Sequence, residues 1–170
     1  MYTFDSRIRY SEIAEDGRIS VNAIIDYMQD CTNFQSEDLG VGLAWHKERG
    51  LMWVLNSWQI IIESYPKMGE TITVGTQAYG FEKMLGFRNF LITDAEGGVV
   101  AKANSNWVLM DLKKGRPMVV TPEIGEVYGH AEPLEMDYAP RKIKIPDNGV
   151  PKDKFAVREY HLDTNHHVNN

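Results

Sequence analysis

An α+β fold, with one long helix packed on a curved antiparallel sheet, is what this sequence predicts, and three observations carry the prediction. Residues 20–39 repeat their apolar side chains at helical spacing. Residues 52–109 alternate apolar and polar positions through long runs separated by turn-forming clusters. The helix precedes that meander, so it has a whole sheet face to cover.

Each element follows from local pattern. Residues 2–10 place Tyr2, Phe4, Ile8 and Tyr10 on one side and Thr3, Asp5 and Arg7 on the other, as in a half-buried strand. After the turn-prone Glu15-Asp16-Gly17, Ser20 is a good N-cap. Val21, Ile24, Ile25, Met28 and Cys31 then recur at spacings of three and four, predicting a helix to about Leu39 that Gly40 stops. A short irregular stretch follows through Trp45 and Gly50. From Met52 the character is β: Val54, Trp58, Ile60 and Ile62 share one parity in a strand ending near Tyr65-Pro66. Residues 70–81 alternate Thr71 and Thr73 with Ile72 and Val74, residues 85–93 form another strand, and Asp94-Ala95-Glu96-Gly97-Gly98 is a hairpin turn. Val99, Ala101, Ala103, Ser105, Trp107 and Leu109 continue on one parity to a turn at Lys113-Lys114-Gly115-Arg116. A helix on the concave face of such a sheet is a hot-dog fold, expected over residues 1–121.

Beyond Thr121 the pattern breaks down. Residues 123–137 hold Glu123, Glu126, Glu132, Glu135 and Asp137 without Lys or Arg, and residues 141–158 hold Arg141, Lys142, Lys144, Lys152, Lys154 and Arg158. With Pro133, Pro140, Pro146 and Pro151 spread through it, the stretch 122–154 reads as an ordered connector rather than a packed element. Residues 155–170 read as the opening of a second unit, because Asp16-Gly17-Arg18-Ile19-Ser20-Val21-Asn22 matches Asp163-Thr164-Asn165-His166-His167-Val168-Asn169 at Asp, Val and Asn. Each copy follows an extended segment with an aromatic, Tyr10 or Tyr160. In that alignment Arg18 and Ser20 hold the places of Asn165 and His167, so the first unit would bind and the second would react. The chain is expected to stop early in this second unit, short of a complete active site.

Composition narrows the function classes. The chain of 170 residues suffices for one well-buried core, and its formal net charge of -6 argues against a nucleic-acid binder, which needs a basic face for phosphate. No apolar run approaches a membrane span, and the N-terminus enters strand-like sequence without a targeting segment. The single cysteine, Cys31, rules out an internal disulfide and a multi-cysteine metal site. A cytoplasmic protein is the plain expectation.

The densest chemistry lies at Asp163-Thr164-Asn165-His166-His167-Val168-Asn169-Asn170. A carboxylate, imidazoles and primary amides in one short stretch suit holding a water and a polarised carbonyl together, as hydrolysis of an activated acyl group requires. The plainer reading is a polar turn that caps a helix. The spacing of His161, His166 and His167 matches no compact metal motif, so neither metal nor cofactor is expected. Cys31 lies on the apolar helix face without an activating base nearby, which marks a buried small hydrophobe rather than a nucleophile. Met28 and Trp58 are the candidates for contact with a flexible apolar ligand, against the plainer reading that both are core. Lys113, Lys114 and Arg116 read as a solvated turn that could also meet an acidic partner protein.

Asp163-x-Asn165-x-His167-Val168-Asn169-Asn170 resembles the signature of acyl-[acyl-carrier-protein] thioesterases. Ile8-Arg9-Tyr10-Ser11-Glu12-Ile13 resembles that family's opening strand, Trp53-Val54 with Tyr65-Pro66 its second long strand, and Ala103-Asn104-Ser105-Asn106-Trp107-Val108-Leu109-Met110-Asp111 a later one. The resemblance implies two tandem hot-dog units, the first housing the acyl tail and the second supplying catalysis. It implies release of free fatty acid from acyl carrier protein, with Asp163 as base or nucleophile and His167 and Asn165 orienting it and stabilising the oxyanion. His166 is expected to point away from the site. A further acidic residue of that family, beside a cysteine, has no counterpart in this chain. The rival expectation is a non-catalytic acyl-binding hot-dog module, dimeric, that keeps the pocket without the chemistry.

Overall fold

The computed structural model describes residues 1–163, 167 and 168. It divides into two compact units, Met1–Ala139 and Pro140–Asn170. The first is built on a six-stranded antiparallel sheet in the order β1-β3-β4-β5-β2. Its strands are β1 (Tyr2–Arg7), β2 (Leu51–Ile62), β3 (Thr71–Glu82), β4 (Leu85–Asp94) and β5 (Val99–Asp111). β5 outruns β4, and a short β6 (Arg116–Pro117) pairs with the overhang at Met110 and Asp111.

Helix α1 (Val21–Asp38) covers one face of this sheet. Ser20 starts it by accepting the Ala23 N–H, a cap of about 1 kcal/mol. It ends where Gly40 takes a φ of 73° that a side chain would resist. Opposed residues of neighbouring strands share a face, so the pairing defines rows beneath the helix. Val74, Ile92, Ala101 and Ile62 form one row, and Thr76, Phe90, Ala103 and Ile60 the next. Ala78, Arg88, Ser105 and Trp58 form a third. The first two rows meet Ile24, Tyr27, Met28 and Cys31 of α1 in the core. Each large side chain enclosed there contributes about 1.5–3 kcal/mol.

Four differences from the sequence expectation have physical causes. β1 ends at Arg7, and Tyr10, expected on its buried side, is exposed at the start of a 3₁₀ turn, Tyr10–Glu12. Glu12 fixes that turn by accepting from the Arg9 N–H at 2.8 Å and from Arg9 Nε at 2.6 Å. Residues 43–49, read as irregular, form α2 (Leu43–Arg49), whose first N–H is accepted by the Glu37 carboxylate at 2.8 Å. β2 carries a bulge between Leu55 and Ser57 that leaves the exposed Asn56 without a partner residue on β5. Side-chain parity therefore flips: Trp53 and Leu55 share the helix-facing side with Trp58, while Val54 turns to the other side.

The fourth difference is the connector. Residues 122–139 belong to the first unit, so its boundary lies at Ala139 and not at 121. Pro122–Tyr128 form α3, and residues 131–139 run as a belt over the outer face of the sheet. Its backbone is held by side chains: Gln77 donates to Glu132 O (2.6 Å), and Lys102 donates to Glu135 O (3.2 Å). Gln59 both donates to Asp137 O (2.5 Å) and accepts from the Ala139 N–H (2.8 Å). Asn89, fully buried, accepts from the Leu134 N–H and the Tyr138 hydroxyl, both at 3.0 Å.

Candidate functional site

The second unit carries the residues singled out for catalysis. Glu159–His161 form a 3₁₀ turn, in which the Arg158 N–H donates to His161 Nδ1 at 3.1 Å. A bridge between Leu162 and Val168 then closes a tight loop. Inside it the Asp163 N–H donates to His167 O at 2.8 Å, and the His167 N–H donates to Asp163 Oδ1 at 2.9 Å. Asp163 and His167 are thus brought together, with one carboxylate oxygen oriented by backbone. His167 is exposed and Asp163 half-buried. Asn165 and His166 lie outside the described residues.

The first unit contains the same local form. Arg9 leads the 3₁₀ turn, Ile13 bridges Ile19, and the Ala14 N–H donates to Arg18 O at 2.8 Å. The hydrogen bonds set Ala14 against Asp163 and Arg18 against His167. This corrects the alignment that set Asp16 against Asp163, which is two residues out of register. Sequence identity favoured the wrong register because what the two loops share is a bridge and a turn, and those are indifferent to side-chain identity. The corrected pairing still leaves the first copy without the carboxylate and imidazole.

Met28 is completely enclosed in the core. Trp58 is only partly buried and packs on Phe90 (ring centroids 5.0 Å apart) and Trp107 (6.4 Å). The buried Trp58 indole N–H has no acceptor among the described residues, and neither has that of Trp53. Trp53, Phe81 and Tyr128 of α3 form an aromatic group, and a side chain on Gly86 would run into Trp53 and Phe81. Cys31 is buried, its thiol donates to Val74 O at 3.4 Å, and burial pushes its pKa up to about 12. Such a thiol supplies no thiolate at neutral pH. Lys113 and Lys114 sit in the turn after β5, where Lys114 pairs with Asp111 at 3.1 Å. Among the described residues, no three His, Cys, Asp or Glu side chains converge as a metal would require.

Sequence reading missed a buried polar group on the helix-facing side. Arg88 is 6% exposed. Its Nη1 donates to Gln35 Oε1 (2.5 Å) and to Thr76 Oγ1 (3.0 Å), and its guanidinium lies 5.4 Å from the Tyr128 ring centre. Burial lowers its pKa to about 10, which leaves it charged at neutral pH. The signal was present: in Arg88-Asn89-Phe90-Leu91-Ile92 the arginine shares parity with Phe90 and Ile92. A cation on an apolar face is the exception worth marking.

Comparison with known proteins agrees with this geometry. Residues 1–128 match the family described as acyl-ACP thioesterase N-terminal domain. The chain is 30% identical over 181 residues to acyl-[acyl-carrier-protein] hydrolase FATB2, chloroplastic, of Cuphea viscosissima, a match covering 96% of this chain and 43% of that protein. Among solved structures, an acyl-ACP thioesterase from Bacteroides thetaiotaomicron matches with a TM-score of 0.85 at 25% identity, covering 98% of this chain and 68% of that one. The 12:0-ACP thioesterase from Umbellularia californica matches with a TM-score of 0.83 at 25% identity, covering 99% and 70%. The chain thus spans less than half the length of the curated relative, and the hot-dog architecture is shared with both structures. It belongs to the acyl-ACP thioesterase family, and residues 1–128 match that family's N-terminal domain.

Proposed function

We propose that this chain serves hydrolysis of the thioester in an acyl-carrier-protein-bound fatty acid, releasing the free acid. The observation that carries the reading is the loop in which a backbone N–H orients the Asp163 carboxylate beside His167, in a chain of a thioesterase family. In this reading Asp163 activates water or attacks the thioester carbonyl, while His167 and Asn165 position it and stabilise the oxyanion that develops. Residues from about 155 open a second hot-dog unit, a proposal supported by the loop form repeated from Arg9–Ile19. The first unit receives the acyl tail, with Trp58 on its wall.

The test is turnover of acyl carrier protein thioesters by the full natural protein. Asp163→Ala and His167→Ala should each lower it by about a hundredfold or more, the scale of a lost general base, with little change in melting temperature. Near-parental rates in both variants would refute the assignment. Tight acyl binding without any hydrolysis by the parent would favour a binding module instead.

A further inference from the structure

The helix-facing side of the sheet changes character along its length. Under the first turns of α1 the rows ending in Ile62 and Ile60 are aliphatic and closed: Val74, Phe90, Ile92, Ala101 and Ala103 are all at 0–1% exposure. Past Arg88 the same side carries Trp107, Leu55, Trp53 and Phe81, each only half-buried, with Tyr128 over them. Arg88 stands on the line between the two, in one row with Trp58.

A guanidinium is an expensive group to place there. No carboxylate pairs with it among the described residues. Its hydrogen bonds use Nη1 alone, to the neutral Gln35 and Thr76. If its role were only to tie α1, β3 and α3 together, a well-packed apolar side chain would serve at least as well, because burying an unpaired charge costs stability. What a cation does that methionine does not is repel hydrocarbon. A methylene pressed against the remaining N–H groups would displace whatever satisfies them and offer no acceptor in return.

We propose that Arg88 is the specificity-determining floor of the acyl site. The tail lies along the half-buried aromatic side of β2 and ends at the guanidinium, which sets the longest chain accepted. This rests on the acyl-thioester reading of the chain.

The experiment uses the full natural protein and a series of saturated acyl carrier protein thioesters from eight to eighteen carbons. Replacing the charge by an unbranched apolar chain, Arg88→Met, should move the preferred length upward. The long-to-short turnover ratio should rise about fourfold for each methylene newly admitted, while short-chain rates hold. Arg88→Lys should keep the parental ceiling. An unchanged profile in an Arg88→Met protein that melts within a few degrees of the parent would overturn the proposal. If Arg88→Met does not fold, the parent alone decides: a terminal hydroxyl, which can accept from the guanidinium, should rescue chains just above the ceiling, and no rescue would overturn the proposal. If the parent hydrolyses no acyl thioester, the hydrolase reading fails by itself. Quenching of tryptophan fluorescence by free fatty acids of the same lengths then tests the floor, and binding that is absent or independent of length would overturn it.

Discussion

Asn89 concentrates more of this fold's stability than its position mid-strand would suggest, and Asn89→Ala exposes the reason. The side chain is completely buried on the outer face of β4. It accepts from the Leu134 N–H and the Tyr138 hydroxyl, and it donates to Ala103 O at 3.3 Å. Truncation removes all three bonds. Tyr138 retains a second acceptor in Leu134 O at 2.9 Å, so its loss is small, whereas the Leu134 N–H loses its acceptor. Neutral bonds are worth about 1 kcal/mol each and an orphaned buried donor costs about 1–3 kcal/mol, so a total of roughly 2–4 kcal/mol is expected. For a unit of this size that is a fall in melting temperature of about 10 °C. Calorimetry gives the global loss, and amide exchange across residues 131–139 locates it. The belt should exchange faster while the N–H groups of β3 and β4 lose protection only as far as global stability falls. A melting point within about 2 °C of the parent, or unchanged exchange at Leu134, would refute the view that side chains of the sheet hold the belt.

Two further outcomes are expected. Burial alone would raise the pKa of Glu12, but hydrogen bonds from Arg9 and Tyr27 (2.6 Å), with the Arg9 charge, hold it below the ordinary carboxylate range. A depressed folded pKa stabilises above the unfolded value of about 4.3 and is lost as pH falls through the folded one. Glu12→Gln should therefore cost about 1–2 kcal/mol at pH 7 and progressively less below about pH 4, read from denaturant midpoints against pH. Cys31→Ser should leave turnover intact and lower stability by about 1–2 kcal/mol, since the hydroxyl keeps the donation to Val74 O but sits in an apolar site. Rapid alkylation of the folded parent at Cys31 would contradict the closed core drawn around it.

The fold class was legible because it rests on periodicity. The apolar stripe of α1 and the alternation of β3 to β5 survive any local irregularity. What did not survive was parity across Asn56. One unpaired residue there moved Trp53 onto the helix-facing side and Val54 off it, and nothing in Leu55-Asn56-Ser57 announces a bulge. The belt was missed for a related reason. Its contacts are backbone groups met by Gln59, Gln77 and Asn89, so its own side chains follow no pattern, and prolines and acids alone suggest a linker. Arg88 was legible but unread, since its parity with Phe90 was in view.

The two loops show where the chemistry and the scaffold part company. In Arg9–Ile19 and Arg158–Val168, the leading arginine N–H is accepted by the side chain three residues on, Glu12 in one and His161 in the other. In each, the bridge is made by aliphatic residues, Ile13 with Ile19 and Leu162 with Val168. These positions fix the path of the backbone, and they tolerate a carboxylate exchanged for an imidazole because either offers an acceptor. The positions between them are free of that duty. In the first loop they hold Ala14 and Arg18, and the Arg18 N–H turns to the Asp16 carboxylate at 3.0 Å. In the second the N–H of His167 turns instead to Asp163. The shift moves the carboxylate from the tip of the loop to its base, beside the bridge, where the backbone is held at both ends. A general base must keep its geometry through turnover. The base of a bridged loop offers that constancy and the tip does not, so the second loop has the better placement for chemistry even though both share one backbone form.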